Sequence, residues 1–247
     1  MFSKAALVVG VFASSLTMRA SSITIDMMTS GGVESGAGLT NSRFYNLGGG
    51  NSVTVTGWSV GQGVGNTFAQ AQVIFSNTFG LGVCGADQFP SCTPPAHQID
   101  NSGHYEFLLF SFSAGVTPTA VQLQSFSSNG TTVNPLTDDR DTSYFLRTSG
   151  STTPSGLTLA GLGFGARHDE LHTDEPNPFD PTHLPVTVNI IGTGNGLLFG
   201  AMVGGGGDDF FKIETLTVNT AAPEPATIGF IGVGLLGLGL IRRRKNR

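Results

Sequence analysis

Basic residues are scarce in this 247-residue chain, and their placement sharpens the scarcity. Seven of the 12 Lys and Arg lie near the two ends: Lys4, Arg19, Arg242, Arg243, Arg244, Lys245 and Arg247. Between Ile23 and Ala222 only Arg43, Arg140, Arg147, Arg167 and Lys212 stand against 16 Asp and Glu, so the body carries −11 where the whole chain carries −5. A field of that sign repels phosphate backbones and attracts cations, which argues against nucleic acid and leaves divalent cations or a hydrated polysaccharide as partners. Cysteine is sparser still, and two residues, Cys84 and Cys92, build neither a disulfide framework nor a multi-thiolate zinc site. No long segment repeats at the 3.6-residue period, which disfavours a helical bundle, and no fixed repeat suggests a solenoid or propeller. The run from Gly204 to Gly207 lacks the Lys-Ser/Thr of a phosphate loop.

Phe is abundant, and Gly, Ser, Thr and Asn crowd between short apolar runs. This composition predicts an all-β body of about 200 residues, a single β-sandwich or jelly roll of about nine strands. The candidate strands are Ser52–Trp58, Gln70–Ser76, Tyr105–Phe112, Ala120–Phe126, Ser143–Thr148, Leu157–Phe164, Val186–Ile191, Leu197–Val203 and Lys212–Val218. Thr54, Thr56 and Trp58 alternate with Val53 and Val55, the period of a half-buried strand. The nearly continuous apolar run in Tyr105–Phe112 predicts a central strand covered on both faces.

Both ends depart from this pattern. Lys4, the apolar run Ala5–Leu16 and the small residues Ala20, Ser21 and Ser22 follow the plan of a secretory signal peptide over 1–22, with cleavage after Ser22 or after Ala20. At the other end, Pro223-Glu224-Pro225 precedes a 14-residue apolar stretch, Ile228–Ile241, and then Arg242, Arg243, Arg244, Lys245 and Arg247. The apolar stretch reads as one short transmembrane helix, below the roughly 20 residues of a comfortable span. By the positive-inside bias the basic cluster stays cytoplasmic and the body lies across the membrane. The expected organisation is therefore signal peptide 1–22, exported domain 23–220 and sorting signal 221–247.

These three ordered parts resemble the PEP-CTERM sorting signal of exopolysaccharide-producing Gram-negative bacteria, over residues 222–247. The same type of tail is also described as a C-terminal domain of ice-binding proteins. The resemblance implies export by the Sec machinery, temporary anchoring in the inner membrane, and removal of the helix near Pro223-Glu224-Pro225 by an exosortase. A second resemblance to exosortase-sorted surface proteins lies in Leu81-Gly82-Val83, in His97-Gln98-Ile99-Asp100-Asn101 before a Phe-rich strand, and in Asp208-Asp209-Phe210-Phe211-Lys212-Ile213.

Within the body, an even cysteine count in an exported chain favours a Cys84–Cys92 disulfide across a short loop containing Gly and Pro. Asp138, Asp139 and Asp141, with Asp100 and Asn101 as partners, form the best calcium candidate, because calcium takes several carboxylate and amide oxygens; turn chemistry alone also favours Asp there. His168 and His172 are four apart, but Asp169 stands where a metalloprotease motif needs Glu, so surface histidines on a loop are expected. Three prolines between Pro176 and Pro181 predict an exposed acidic loop. Two functional classes follow: a non-catalytic exported surface or matrix protein that binds or organises exopolysaccharide, or a secreted hydrolase of matrix glycans or proteins. Trp58, Tyr45, Tyr105 and Tyr144 are the large polar-edged aromatics available to stack on sugar rings. An ice-binding body would need a flat, repeated Thr array, which Thr54-Val55-Thr56 alone does not supply.

Overall fold

In the chain's computed structural model, which describes residues 21–29, 38–63, 65–85, 88, 92, 98–113, 115–125, 140–148, 153–172, 185–207 and 209–220, every regular element is a strand. Residues 1–20 of the expected signal peptide, the sorting motif and the acidic loop at 173–181 lie outside these residues, whereas Ser21 and Ser22, placed in that signal peptide by a cut after Ser22, are the first two residues of a strand. No described segment forms a helix long and apolar enough to cross a membrane.

Val53 and Val55 in β4 (Asn51–Gly61) show how the sequence period becomes a fold: both are fully buried, while Ser52, Thr54 and Thr56 between them stay half-exposed. On one side β4 pairs first with β3 (Ser42–Gly48), up to Thr56, and then with β5 (Ala69–Ser76) from Gly57 to Ser59. The change of partner falls at Gly57, where a Cβ would meet the Ala71 and Gln72 backbone at 3.0 Å. Absence of a side chain lets β5 approach there and carry the sheet around a corner.

One half of the sheet runs β11 (Arg167–Glu170), β10 (Thr142–Arg147), β13 (Gly196–Ala201), β8 (His104–Phe112), β4. Past the corner it continues through β5, β6 (Gly80–Cys84), β14 (Phe210–Thr220), β9 (Val116–Ser125) and β12 (Val186–Asn189). Beside this path, β1 (Ser21–Asp26) and β7 (Ile99–Asp100) pair with β14, β2 (Gly38–Thr40) with β5, and β3 with β4. All pairings between these strands are antiparallel, and the sheet is nearly closed on itself. Its main core joins both halves: Val53, Leu108, Phe110, Tyr144 and Phe199 from one, Val73, Leu123, Phe211, Leu216 and Val218 from the other.

The strand β8 lies between β13 and β4 and is covered on both faces, as its apolar run predicts. Leu108 and Phe110 enter the main core, whereas Phe107 and Leu109 join a second cluster with Trp58, Phe68, Phe145, Leu162 and Leu198. That second cluster explains one departure from expectation. The segment Leu157–Phe164 is not a strand; it is a run of turns, tied by the bridges Thr67–Thr158 and Phe68–Ser155, that lays Leu159, Leu162 and Phe164 over the aromatic outer face. Its glycines explain why: Gly156 and Gly163 both adopt positive φ, at 72° and 63°. The other eight candidate strands are present, and β1, β2, β3, β6, β7 and β11 bring the described total to 14 instead of about nine.

Candidate functional site

A group of buried polar side chains lies where β7 meets the start of β14, with Phe210 opposite Asp100 and Phe211 opposite Ile99. This register brings together the two segments Gln98–Asn101 and Asp209–Ile213, about 110 residues apart in sequence. Asn101 and Asp209 bond reciprocally: Asn101 Nδ2 donates to Asp209 Oδ2, and Asp209 N donates to Asn101 Oδ1 at 3.1 Å. Met202 N donates to the same Asp209 Oδ2 at 3.1 Å and also to the Asp141 carbonyl at 3.1 Å. Gln62 Nε2 closes the group from the β4 side by donating to the Asn101 carbonyl. Beneath it, Glu106 accepts from Gly85 N at 3.0 Å and from Asp100 N at 3.1 Å, which fastens the ends of β6 and β7 to β8.

Asp100, Glu106 and Asp209 are all buried, at 4%, 1% and 1% exposure. Carboxylates this deep are costly unless hydrogen-bonded, and main-chain amides supply bonds to each of them. The arrangement holds three strand ends in register.

Of the three described members of the calcium candidate, Asn101 is part of this knot and Asp100 and Asp141 lie beside it. Asp100 Oδ1 accepts from Ser102 N at 3.0 Å and its Oδ2 from Gln98 Nε2 at 3.4 Å, while Asp141 Oδ1 accepts from His172 N at 2.5 Å. Asp138 and Asp139 lie outside the described residues, among which no group of three or more His, Cys, Asp or Glu is placed to hold a metal ion. His168 is on a strand, not a loop. It stacks on Tyr144 with ring centroids 4.8 Å apart, and β11 is fixed to β10 by Ser143 Oγ donating to Asp169 Oδ1 at 2.6 Å.

Cys84 and Cys92 form the expected disulfide, with Cα atoms 6.0 Å apart, and pack with Ile74 and Leu39 on the outer side of β5 and β6. Of the four aromatics considered for sugar stacking, Tyr45, Trp58 and Tyr144 are buried, so they line the core instead of a platform. Tyr105 is half-buried, and its hydroxyl accepts from Gly204 N at 3.0 Å.

A second group escaped the sequence reading altogether. Between Ile213 and Thr215 the register of β14 against β9 slips by one residue, leaving Glu214 in a bulge; its carbonyl accepts from Met27 N at 2.8 Å. Asp26, opposite Thr215 in β1, is the neighbouring acid. Burial raises the Glu214 carboxyl above the usual range and Asp26 raises it further, and Glu214 Oε2 has no hydrogen-bond partner. Burial likewise pushes the Tyr45 hydroxyl up to about 12, with Arg43 opposing and Asp26 adding to the shift. Arg43, itself lowered by burial, lies 4.4 Å over the Phe75 ring. No local motif announces a bulged acid, because the slip that creates it is a property of two strands at once.

Fold and site together define an all-β domain whose buried acids knot strand ends together, followed at once by a separate C-terminal segment. That segment is matched, at residues 221–245, by the family model of the PEP-CTERM protein-sorting motif. The chain is thus an exported protein sorted and processed by an exosortase. No curated protein and no solved structure matches the chain.

Proposed function

We propose that Ser21–Thr220 is a non-catalytic component of the cell surface or extracellular matrix that binds or organises exopolysaccharide, with calcium bridging the two. In this reading the Sec machinery exports the chain, the short C-terminal helix anchors it in the inner membrane with its basic end inside, and exosortase cleavage passes it to the surface. The observation that carries the reading is the union of a sorting motif with a domain of charge −11 whose deep carboxylates serve the fold. A Cys84–Cys92 disulfide suits the oxidising side of the membrane. With Tyr45, Trp58 and Tyr144 inside the core, saccharide contact falls to surface oxygens, for which a hard divalent cation is the natural bridge.

Co-sedimentation of Ser21–Thr220, which forms one compact unit, with the producing cell's exopolysaccharide tests this. Binding in calcium that is lost in chelator is the expected result; no binding in either condition would remove the proposal. The second reading, a secreted hydrolase, is favoured by the Asp26–Glu214 pair, since two acids of which one is raised are the groups that acid–base cleavage of a glycan uses. Release of reducing ends that disappears in Glu214→Gln would put that reading first.

A further inference from the structure

The last strand leaves almost no chain between the sheet and the cut. Thr220 ends β14 with partners on both sides, Ser21 of β1 and Val116 of β9. It is buried, and its Oγ1 donates to the Ser21 carbonyl at 3.3 Å. Asn219 is held likewise between Ser22 and Thr117. The match to the sorting motif starts at the next residue, 221, and Pro223 follows Thr220 by three positions.

Three residues reach at most about 10 Å even when fully extended. That is about the distance between two stacked sheets, side chains included. Enzymes that take peptides in extended form bind several residues along the backbone, because main-chain hydrogen bonds provide the affinity. Cleavage moves the acyl carbon from the departing backbone nitrogen, which takes up a proton, to water or to an acceptor amine. The cleft must therefore surround the scissile bond on both sides, and on the N-terminal side the next available backbone is already paired in β14.

We propose that the terminal rungs of β14 act as a brake on sorting: the exosortase cuts the motif in chains whose Ser21–Thr220, Ser22–Asn219 and Val116–Thr220 pairings are open. This rests on the reading that the exosortase cuts at Pro223-Glu224-Pro225. The completed sheet and the enzyme compete for the same stretch of backbone. Cutting beyond Thr220 leaves every strand of the domain intact, so the competition affects the rate of maturation and not the mature fold.

The test is pulse-chase conversion of full-length precursor to mature protein in the producing cell, for three chains: the natural one, one with eight Gly/Ser residues inserted between Thr220 and Ala221, and one lacking Ala221 and Ala222. All three keep the sheet unchanged, which equal melting temperatures of the isolated mature domains would verify. The spacer is expected to speed conversion roughly tenfold, the scale of sparing about one or two backbone hydrogen bonds, and the deletion to slow it. Equal rates in all three chains would overturn the brake while leaving the cut itself established. Absence of conversion in all three would overturn the brake together with the reading beneath it.

Discussion

Gly80 opens β6 with φ of +89°, and a Cβ built on it would lie 2.1 Å from the Ile213 carbonyl oxygen, beside the Glu214 bulge. Both a left-handed backbone and a backbone clash therefore oppose any side chain there. Gly80→Ala is expected to lower stability by about 2–5 kcal/mol in urea unfolding. Gly103, at φ +82° with open space around its Cβ position, isolates the conformational part, and Gly103→Ala should cost about 1–2 kcal/mol. Equal losses at the two positions would show that the close approach to Ile213 carries no weight. Lys212 tests burial of charge. It is fully buried in β14 near the Phe79 ring, and burial lowers its ammonium from 10.5 to about 7. Below about pH 7 folded and unfolded chains both carry this proton; between about 7 and 10.5 the unfolded chain holds it more tightly, so stability should rise with pH across that window. Urea midpoints that rise from pH 7 to 10 in the natural protein but stay level in Lys212→Met would bear this out, and parallel curves would refute it. Among single residues, Cys84 and Cys92 were legible because pairing needs only a count and a short loop. Glu214 was not, since its environment depends on a slip between β14 and β9.

Long strands with apolar period were legible from sequence, whereas short ones whose partners define them were not. β4, β8 and β14 announce themselves by alternation or continuous apolar runs. β7 has only two residues, and its strand character comes from lying against Phe210 and Phe211. β6, Gly80-Leu81-Gly82-Val83-Cys84, carries two glycines that suggest a turn, yet each of its residues is buried between β5 and β14. Leu157–Phe164 shows the reverse error: its leucines are spaced to cover an aromatic face, and apolar content alone does not separate a cover from a strand. The knot around Asn101 and Asp209 was half legible, because both segments stood out but their meeting is set by the β7–β14 register. For β1 the element itself makes a prediction. Its ladder begins at Ser21, opposite Thr220, so cleavage after Ser22 would remove two rungs and cleavage after Ala20 none. N-terminal sequencing of the mature protein should begin Ser21-Ser22-Ile23; a start at Ile23 would show that the first two rungs are dispensable.

At the scale of the whole molecule, the order in which the strands are joined matters as much as their positions. β14 touches β1, β6, β7 and β9, and it is the last strand of the domain. Ser21 and Thr220 are 199 positions apart, yet they share a rung. Pairings that span the chain are slow to form, because the entropy of closing the intervening loop is lost before any contact rewards it. A chain that crosses a membrane from its N-terminus, as proposed above, emerges with β1 first and β14 last. Until that final strand arrives, β6, β7 and β9 lack their common neighbour and β1 has no pairing in the sheet at all. On that proposed route the topology would act as a timer, because the keystone that gives β1 its pairing is the last strand to emerge.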